Sequence, residues 1–277
     1  MSDIPREFVF TRYPGKQGTV WLRTAYHMFK QHRAAWVMVV LAYILALLVI
    51  ALVPLVGPYA LIIMKPVFVV GLLAAAWQQE RGATPRMSHL FQGFRTNLRA
   101  LLTIGVFFVA GITLAVAASS LVDGGRLIEL VATRGSLSED ELKQRLGDPL
   151  VIFDMLFSTV LSLPVIVATW WAPAVVVFQD AGAIAALGAS LRAALANWKA
   201  LLVYVIVLYF YGVVIPGIWY KLTALAVSDP MLGVIVNAPM LVYTMFLTAT
   251  VYIADYVSYR DVFHANETLA PLSRSGS

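Results

Sequence analysis

The chain has 277 residues, of which 60% are hydrophobic and only 13% are charged. Soluble domains usually carry about a quarter charged residues, so this composition excludes an ordinary soluble fold. The formal charge of +5 does not indicate nucleic-acid binding, because the basic residues stand singly at the edges of apolar runs. Cysteine is absent, which excludes disulfides, thiol catalysis and thiolate metal ligands.

Residues 1–18 combine proline and glycine with scattered charge and predict an irregular cytoplasmic tail. Helical spacing begins at Thr19, where an apolar stripe lies apart from Arg23, His27 and Lys30. The members of this stripe are Trp21, Leu22, Ala25, Met28 and Phe29. A basic amphipathic helix of this kind is expected to lie in the bilayer interface or on the cytoplasmic ends of neighbouring helices.

Six apolar stretches follow, each close to the ~20 residues that cross the hydrocarbon core of a bilayer. They lie near residues 34–55, 59–78, 98–121, 150–178, 200–226 and 231–256. The first two are separated only by a segment rich in proline and glycine, 54–58, which predicts a tight hairpin. The long connection 122–149 contains Ser138 and Glu141 at the spacing of a capping box, and predicts a short helix that ends by Gly147.

Basic amphipathic segments also precede the third and the fifth stretch. Thr84 and Pro85 are typical of a helix start, so an amphipathic α-helix is expected to begin there. Before the fifth stretch, apolar and polar side chains alternate at helical spacing. The expected apolar face holds Leu187, Leu191, Leu195 and Trp198, and the polar face holds Ser190, Arg192, Asn197 and Lys199.

These elements predict an all-α integral membrane protein whose membrane domain covers residues 19–263. Its six transmembrane helices are expected to form three hairpins, each preceded by a cytoplasmic interfacial amphipathic helix. Fourteen Lys and Arg residues flank the stretches on the side of the termini, against four on the other side, all within 122–149. Under the positive-inside rule, both termini, including the tail 264–277, are cytoplasmic and 122–149 is an outer loop.

A short pattern recurs at the start of two stretches. Residues 97–102 read NLRALL and residues 197–202 read NWKALL, and residues 29–36 form a weaker copy. Parallel repeats indicate pseudo-symmetry about the membrane normal. The alternative is that any cytoplasmic approach to a membrane helix gathers Arg, Lys and Asn.

Polar residues inside the predicted spans are candidates for function, because charge in a bilayer is costly. Lys65 lies about a third of the way into the second stretch, Asp154 a turn into the fourth, and Asn237 two turns into the sixth. One hypothesis is an outward-facing polar cavity in which Lys65 binds an anion or pairs with Asp154. The alternative is that Lys65 extends to the interface and Asp154 is the solvated end of its helix. Helix breaks at prolines would line such a cavity, and the candidates are Pro66, Pro164, Pro216 and Pro239.

A second candidate site is the cytoplasmic turn formed by Asp180, Arg192, Asn197 and Lys199. These residues predict either a docking site for a partner or simple capping and anchoring of the helices. All four histidines fall outside the predicted spans, so neither haem nor zinc is expected. The sequence contains no nucleotide-binding, hydrolase or metalloprotease motif. We therefore expect no catalytic residues, no cofactor and no metal.

Several segments carry a family resemblance. They are residues 18–30 (GTVWLRTAYHMFK), 53–58 (VPLVGP), 121–125 (LVDGG), 172–180 (APAVVVFQD), 190–193 (SLRA), 197–198 (NW) and 258–263 (SYRDVF). In this order they resemble an uncharacterised family of proteobacterial six-helix inner-membrane proteins, usually labelled hypothetical transmembrane proteins. The chain is also distantly similar to the membrane domain that accompanies glycerophosphodiester phosphodiesterases. The resemblance implies a bacterial inner membrane but supplies no activity or site residues.

Two functions from different classes fit the sequence, of which the first is the leading expectation and the second the alternative. The shortage of polar groups within the spans favours a non-enzymatic scaffold or accessory subunit that contacts lipid or another membrane protein. Lys65, the prolines and the repeat favour a transporter or carrier of a small or lipid-like anionic molecule. Membrane lipid is the expected partner in either case, together with a membrane protein or a second copy of the chain, and nucleic acid is not expected.

Overall fold

The computed structural model describes residues 8–265, apart from the side chains of Val122, Asp123 and Arg134. Residues 8–14 have no regular secondary structure, as expected for the end of the N-terminal tail. The other parts of the expected tails, residues 1–7 and 266–277, lie outside the described residues.

Within the described part of the chain, the regular structure is helical. The α-helices are α1 (Gln17–Gln31), α2 (Arg33–Ala51), α3 (Gly57–Glu80), α4 (Leu98–Asp123), α5 (Arg126–Thr133), α6 (Glu139–Leu146), α7 (Pro149–Trp170), α8 (Ala172–Phe178), α9 (Ala183–Ala196), α10 (Trp198–Tyr209), α11 (Ile215–Ala226) and α12 (Pro230–Phe263). Two 3-10 helices, Met87–Arg95 and Arg134–Ser136, precede α4 and α6, and a π-helical segment, Phe210–Val214, joins α10 to α11.

Six helical segments are long and apolar enough to cross a membrane, as the sequence predicts. They are Arg33–Ala51, Gly57–Glu80, Leu98–Leu121, Pro149–Phe178, Trp198–Ala226 and Pro230–Phe263. The largest difference is at the sixth, which continues to Phe263 rather than ending near 256. Its additional turns carry Ser258, Arg260 and Asp261, whose polar side chains end the apolar run in the sequence but are bonded to other helices in the fold.

α3 is the central helix of the fold. Along its most apolar window 61% of the residues are buried inside the protein, against 11–28% for the other five spans. Two glycines of the segment before α4 and of α4 itself lie directly against the backbone of α3. A Cβ atom at Gly93 would lie 2.0 Å from the carbonyl oxygen of Val67, and one at Gly105 would lie 2.2 Å from that of Ile63. Small residues permit this close packing between membrane helices.

The segment before α4 is a 3-10 helix and not the predicted α-helix. It begins at Met87 rather than at Thr84–Pro85, and the Arg86 N–H is donated to His89 Nδ1 at 3.1 Å. Burial, and to a lesser extent Arg86, lowers the pKa of His89, which favours the neutral ring that can accept this bond. The start of the helix is therefore set by Arg86 and His89.

The 3-10 geometry fits the surface of α3. Residues three apart eclipse one another in a 3-10 helix and are ~6 Å apart along its axis, which equals the rise over four residues of an α-helix. Leu90 therefore packs on Gly71 while Gly93 packs on Val67, one turn of α3 away. An α-helix would turn Gly93 about 60° away from the line of Leu90.

α1 is amphipathic, as predicted, and its apolar stripe is buried inside the protein. Trp21, Ala25 and Phe29 are each at most 2% exposed, and α1 packs against α10 and α12. A Cβ atom at Gly18 would lie 2.3 Å from the carbonyl oxygen of Ala200, so the backbones of α1 and α10 are in close contact. α1 is therefore held by the membrane helices themselves.

The buried face of α9 contains both apolar and polar side chains, and it does not include every residue of the expected apolar face. Leu195 is exposed, whereas Ser190 and Asn197 are buried. The Ser190 hydroxyl accepts the Trp171 N–H at 3.0 Å and donates to the Val167 carbonyl at 3.1 Å, where the fourth span breaks between α7 and α8. A polar side chain faces inward here because the break exposes backbone groups that need a partner.

The predicted capping box in the connection 122–149 is confirmed. The Ser138 N–H donates to the Glu141 carboxylate at 2.9 Å, and the Glu141 N–H donates to the Ser138 hydroxyl at 3.4 Å. These hydrogen bonds lower the pKa of Glu141. The helix that they start is α6, which ends one residue before Gly147.

We expect Gly93→Ala to destabilise the fold. The new methyl group would overlap the Val67 carbonyl, and because backbone cannot move aside easily, the cost should be that of an overpacked core, roughly 1–3 kcal/mol. The matched control is Gly188→Ala in α9, where no atom lies within 4 Å of the added methyl group. That variant should be neutral or stabilised by up to about 1 kcal/mol. Thermal unfolding in detergent compares the two, and equal unfolding temperatures would contradict the close contact.

Candidate functional site

A cavity of about 430 Å³ lies where α3, α4, α10 and α12 meet the break between α7 and α8. Most of its lining is apolar, including Ile62, Val69, Ile104 and Leu208. The polar groups come from five side chains and the Trp170 indole. The five are Lys65, Thr169, Tyr204, Tyr252 and Asp255. We call this space the Lys65–Asp255 cavity.

Asp255 of α12 supplies the carboxylate of the cavity. It accepts the Tyr204 hydroxyl of α10 at 2.9 Å, and Trp170 is a further polar neighbour. The neighbouring Tyr252 hydroxyl lies 3.1 Å from the Tyr43 hydroxyl of α2. Side chains from several helices therefore fix the position of this carboxylate.

Lys65 of α3 supplies the cation. Its side chain is exposed rather than packed, and it lines the same cavity as Asp255. The two groups form no direct ion pair within the described structure, although both line the cavity. The cavity thus holds a cationic side chain and a carboxyl group that are not directly paired.

Prolines shape the wall at two points. Proline has no N–H to bond the carbonyl four residues earlier in a helix. Pro66 lies inside α3, where this carbonyl is that of Ile62, and both residues line the cavity. Pro173 also lines it, in the first turn of α8 next to the break. Polar backbone is tolerated at membrane depth where it lines a cavity. Of the four prolines expected from the sequence, Pro66 lines the cavity, whereas Pro164, Pro216 and Pro239 do not. Pro173, which was not among the four, is the other proline in the wall.

The structure does not bring the three predicted cavity residues together. Asp154 is fully buried between α7 and α4, where it accepts the Ser119 hydroxyl at 3.2 Å. Asn237 lies where α12 meets α11, with its side-chain oxygen 3.3 Å from the Thr223 hydroxyl. Neither residue lines the cavity that contains Lys65. This corrects the expectation that Lys65 pairs with Asp154, and also the alternative that Asp154 is a solvated helix end.

The four residues of the expected cytoplasmic turn do not form one site either. Asp180 is exposed and has a left-handed backbone, with a φ of 49°. Arg192 is exposed and donates to the Gly188 carbonyl of its own helix at 3.3 Å. Lys199 is exposed and lies 5.6 Å from the centre of the Trp198 ring. No ion pair joins Asp180 to Arg192 among the described residues.

Asn197 differs from these three, because it is only 1% exposed. Its side-chain oxygen accepts the Tyr13 N–H at 2.8 Å, and its amide donates to the carbonyls of Thr11 and Ala193, each at 3.0 Å. Asn197 therefore fastens the segment before α1 to the start of α10, which makes it a structural residue and not a surface for docking.

Sequence reasoning missed Asp255, Tyr204 and Tyr252. Asp255 stands at the end of the predicted sixth stretch, where a charged residue is expected to meet the interface. The signal that could have identified it is the length of the helix. Eight further residues of α12 follow Asp255, so the carboxylate lies ~12 Å from the end of the helix.

The comparisons with known proteins concern the whole chain. A probable inner membrane protein of Burkholderia thailandensis is 28% identical over 262 residues, which cover 92% of this chain and 94% of that protein. No protein-family model matches the chain. No solved structure matches it either.

This similarity and the six apolar helices together support a multi-pass protein of the inner membrane. They also support the resemblance to an uncharacterised family of inner-membrane proteins. The similarity to the membrane domain that accompanies glycerophosphodiester phosphodiesterases stays a prediction.

We expect Asn197→Ala to loosen the segment before α1. The substitution removes two hydrogen bonds that hold Thr11 and Tyr13, each worth about 1 kcal/mol. Trypsin should therefore cut at Arg12 or Lys16 on the order of tenfold faster than in the unmodified protein. The control is Asn97→Ala, because Asn97 bonds only the start of its own helix. Identical digestion of both variants would contradict the fastening role of Asn197.

Proposed function

We propose that this protein is a non-enzymatic carrier that binds a small amphipathic anion in the Lys65–Asp255 cavity. The proposal rests on one observation, the cavity of about 430 Å³ with a mostly apolar lining and a few polar side chains. Small-molecule sites typically have this size and this composition. The exposed cation is the natural anchor for the anionic group, and the apolar wall suits the rest of the ligand.

The charges of the cavity give the ligand a defined orientation. A lysine within a membrane is costly unless it is paired or reaches the interface. The carboxylate of Asp255 is already engaged by Tyr204 and makes no direct ion pair with Lys65. An anionic ligand beside Lys65 would neutralise that charge and leave the phenols of Tyr204 and Tyr252 as neighbours of its less charged part.

The arrangement in the membrane is part of the same proposal. We infer three units, each an interfacial helix followed by a transmembrane hairpin, with both termini in the cytoplasm. The excess of Lys and Arg on the side of the termini supports this orientation. Packing of α2 on α3, α4 on α7 and α11 on α12 is consistent with three hairpins.

A scaffold or accessory subunit, the function that the sequence favours, remains a second candidate. Its support is the large apolar surface of the fifth and sixth spans, in each of which only 11% of the apolar window is buried. Another membrane protein, or a second copy of this chain, could cover that surface, as could lipid alone. The cavity favours the carrier because it gives Lys65 a specific role.

We expect Lys65→Met to abolish selective binding of an anion. The probes are octyl phosphate and the neutral octanol, added to protein in nanodiscs and counted as retained molecules by native mass spectrometry. Loss of a charge-assisted hydrogen bond should lower the affinity for octyl phosphate roughly ten- to one-hundredfold, with octanol little changed.

The matched control is Lys221→Met. Lys221 is also an exposed lysine in an apolar span, but it does not line the cavity. It should retain octyl phosphate like the unmodified protein. Equal retention of octyl phosphate and octanol, or an unchanged Lys65→Met variant, would contradict the carrier.

Cysteine labelling tests the orientation separately. The sequence has no cysteine, so each introduced cysteine is the single thiol that can react. We expect Asp140→Cys to react with a membrane-impermeant maleimide in intact spheroplasts. Lys16→Cys, also at an exposed position, should react only after the membrane is permeabilised. The reverse pattern would place the termini outside.

A further inference from the structure

A second and larger cavity, of about 580 Å³, lies between α1, α10 and α12. Its lining is almost entirely apolar and includes Leu22, Val207, Phe246 and Leu247. It shares only Leu208 with the Lys65–Asp255 cavity. We call it the α1 groove. An apolar groove beside an interfacial helix suits a hydrocarbon chain better than water.

The groove extends along the direction of the membrane helices. Its lining on α12 runs from Tyr243 to Thr250, which corresponds to ~10 Å along the helix. At its far end the Tyr243 hydroxyl donates to the Tyr211 carbonyl at 2.7 Å. Tyr211 lies in the π-helical segment, and such irregularities are frequent at functional sites. The groove therefore extends along α12, and a hydrogen bond joins two of its lining residues, Tyr243 and Tyr211.

One rim of the groove is basic. Arg23 of α1 lines it and is exposed, and Lys30 lies 4.8 Å from the centre of the Tyr26 ring, which also lines it. α1 contains no acidic residue. The charge at this rim is therefore positive.

Nearby acidic side chains do not cancel that charge, because they are bonded to other partners. Asp261 accepts the Trp21 indole N–H and the Gln17 amide, each at 3.1 Å. Asp261 also pairs with its neighbour Arg260. Glu80 accepts hydrogen bonds from Tyr256 and Arg260. Arg23 and Lys30 thus remain available to an anion from the membrane surface.

We propose that the α1 groove binds one anionic phospholipid of the surrounding bilayer. One acyl chain occupies the slot between α10 and α12, and the phosphate lies against Arg23 and Lys30. The positive rim selects the anionic headgroup, and the apolar slot holds the chain. This lipid covers the side of α1 that faces away from the protein core.

The test uses the whole chain in nanodiscs that contain equal amounts of phosphatidylglycerol and phosphatidylcholine, each with a photoactivatable group on one acyl chain. We expect phosphatidylglycerol to crosslink to the peptides that contain Val207 and Leu247, in preference to phosphatidylcholine. Each basic residue near an anionic headgroup contributes about fivefold in affinity. The double variant Arg23→Gln/Lys30→Gln should therefore reduce the preference by roughly twentyfold or more.

Two tryptophan variants of α10 separate a specific slot from general contact with lipid. Val207→Trp fills the groove and should remove the crosslink, whereas Val205→Trp adds the same ring at an exposed position outside the groove and should leave it unchanged. Arg192→Gln, an exposed cation on α9, is the control for charge. Crosslinks that spread evenly over all apolar faces, or equal labelling by the two lipids, would overturn the proposal.

Discussion

A polar atom inside a membrane needs a partner within the protein, and this requirement determines where the helices of this fold meet. The partners concentrate at the C-terminal turns of α12. There Asp261 accepts the Trp21 indole of α1, Ser258 accepts the Trp171 indole N–H at 3.0 Å, and Glu80 at the end of α3 bonds both Tyr256 and Arg260. One end of one helix therefore connects α1, α3 and the break before α8.

The Lys65–Asp255 cavity lies next to this connected region. Trp21 packs edge-on against Tyr204, with ring centres 6.4 Å apart, and Tyr204 in turn holds the Asp255 carboxylate. The wall of the cavity at Asp255 is thus connected to α1 through Tyr204 and Trp21. In each of the fifth and sixth spans, only 11% of the apolar window is buried inside the described protein. These sparsely covered spans are consistent with the carrier proposal, in which the ligand enters from the membrane.

Composition and periodicity were enough to predict the six spans and the apolar stripe of α1, because both depend on local patterns. The roles of individual polar residues could not be predicted in this way, because they depend on long-range packing between helices. Asp154 and Asp255 are both acids within apolar helices, yet only Asp255 reaches the cavity with Lys65. Asn97 and Asn197 occupy equivalent places in the repeated pattern, yet Asn97 caps α4 through the Ala100 N–H, whereas Asn197 binds the segment before α1. The same local pattern can thus have different roles, because the role depends on which distant segment packs against it.

The most direct test of the central claim is a high-resolution density map of the protein extracted together with its own lipid. The carrier proposal predicts a bound molecule in the Lys65–Asp255 cavity, with its anionic group beside the Lys65 ammonium and its apolar part against Ile104 and Leu208. A closed cavity, with the Lys65 side chain extended away to the membrane interface, would contradict it.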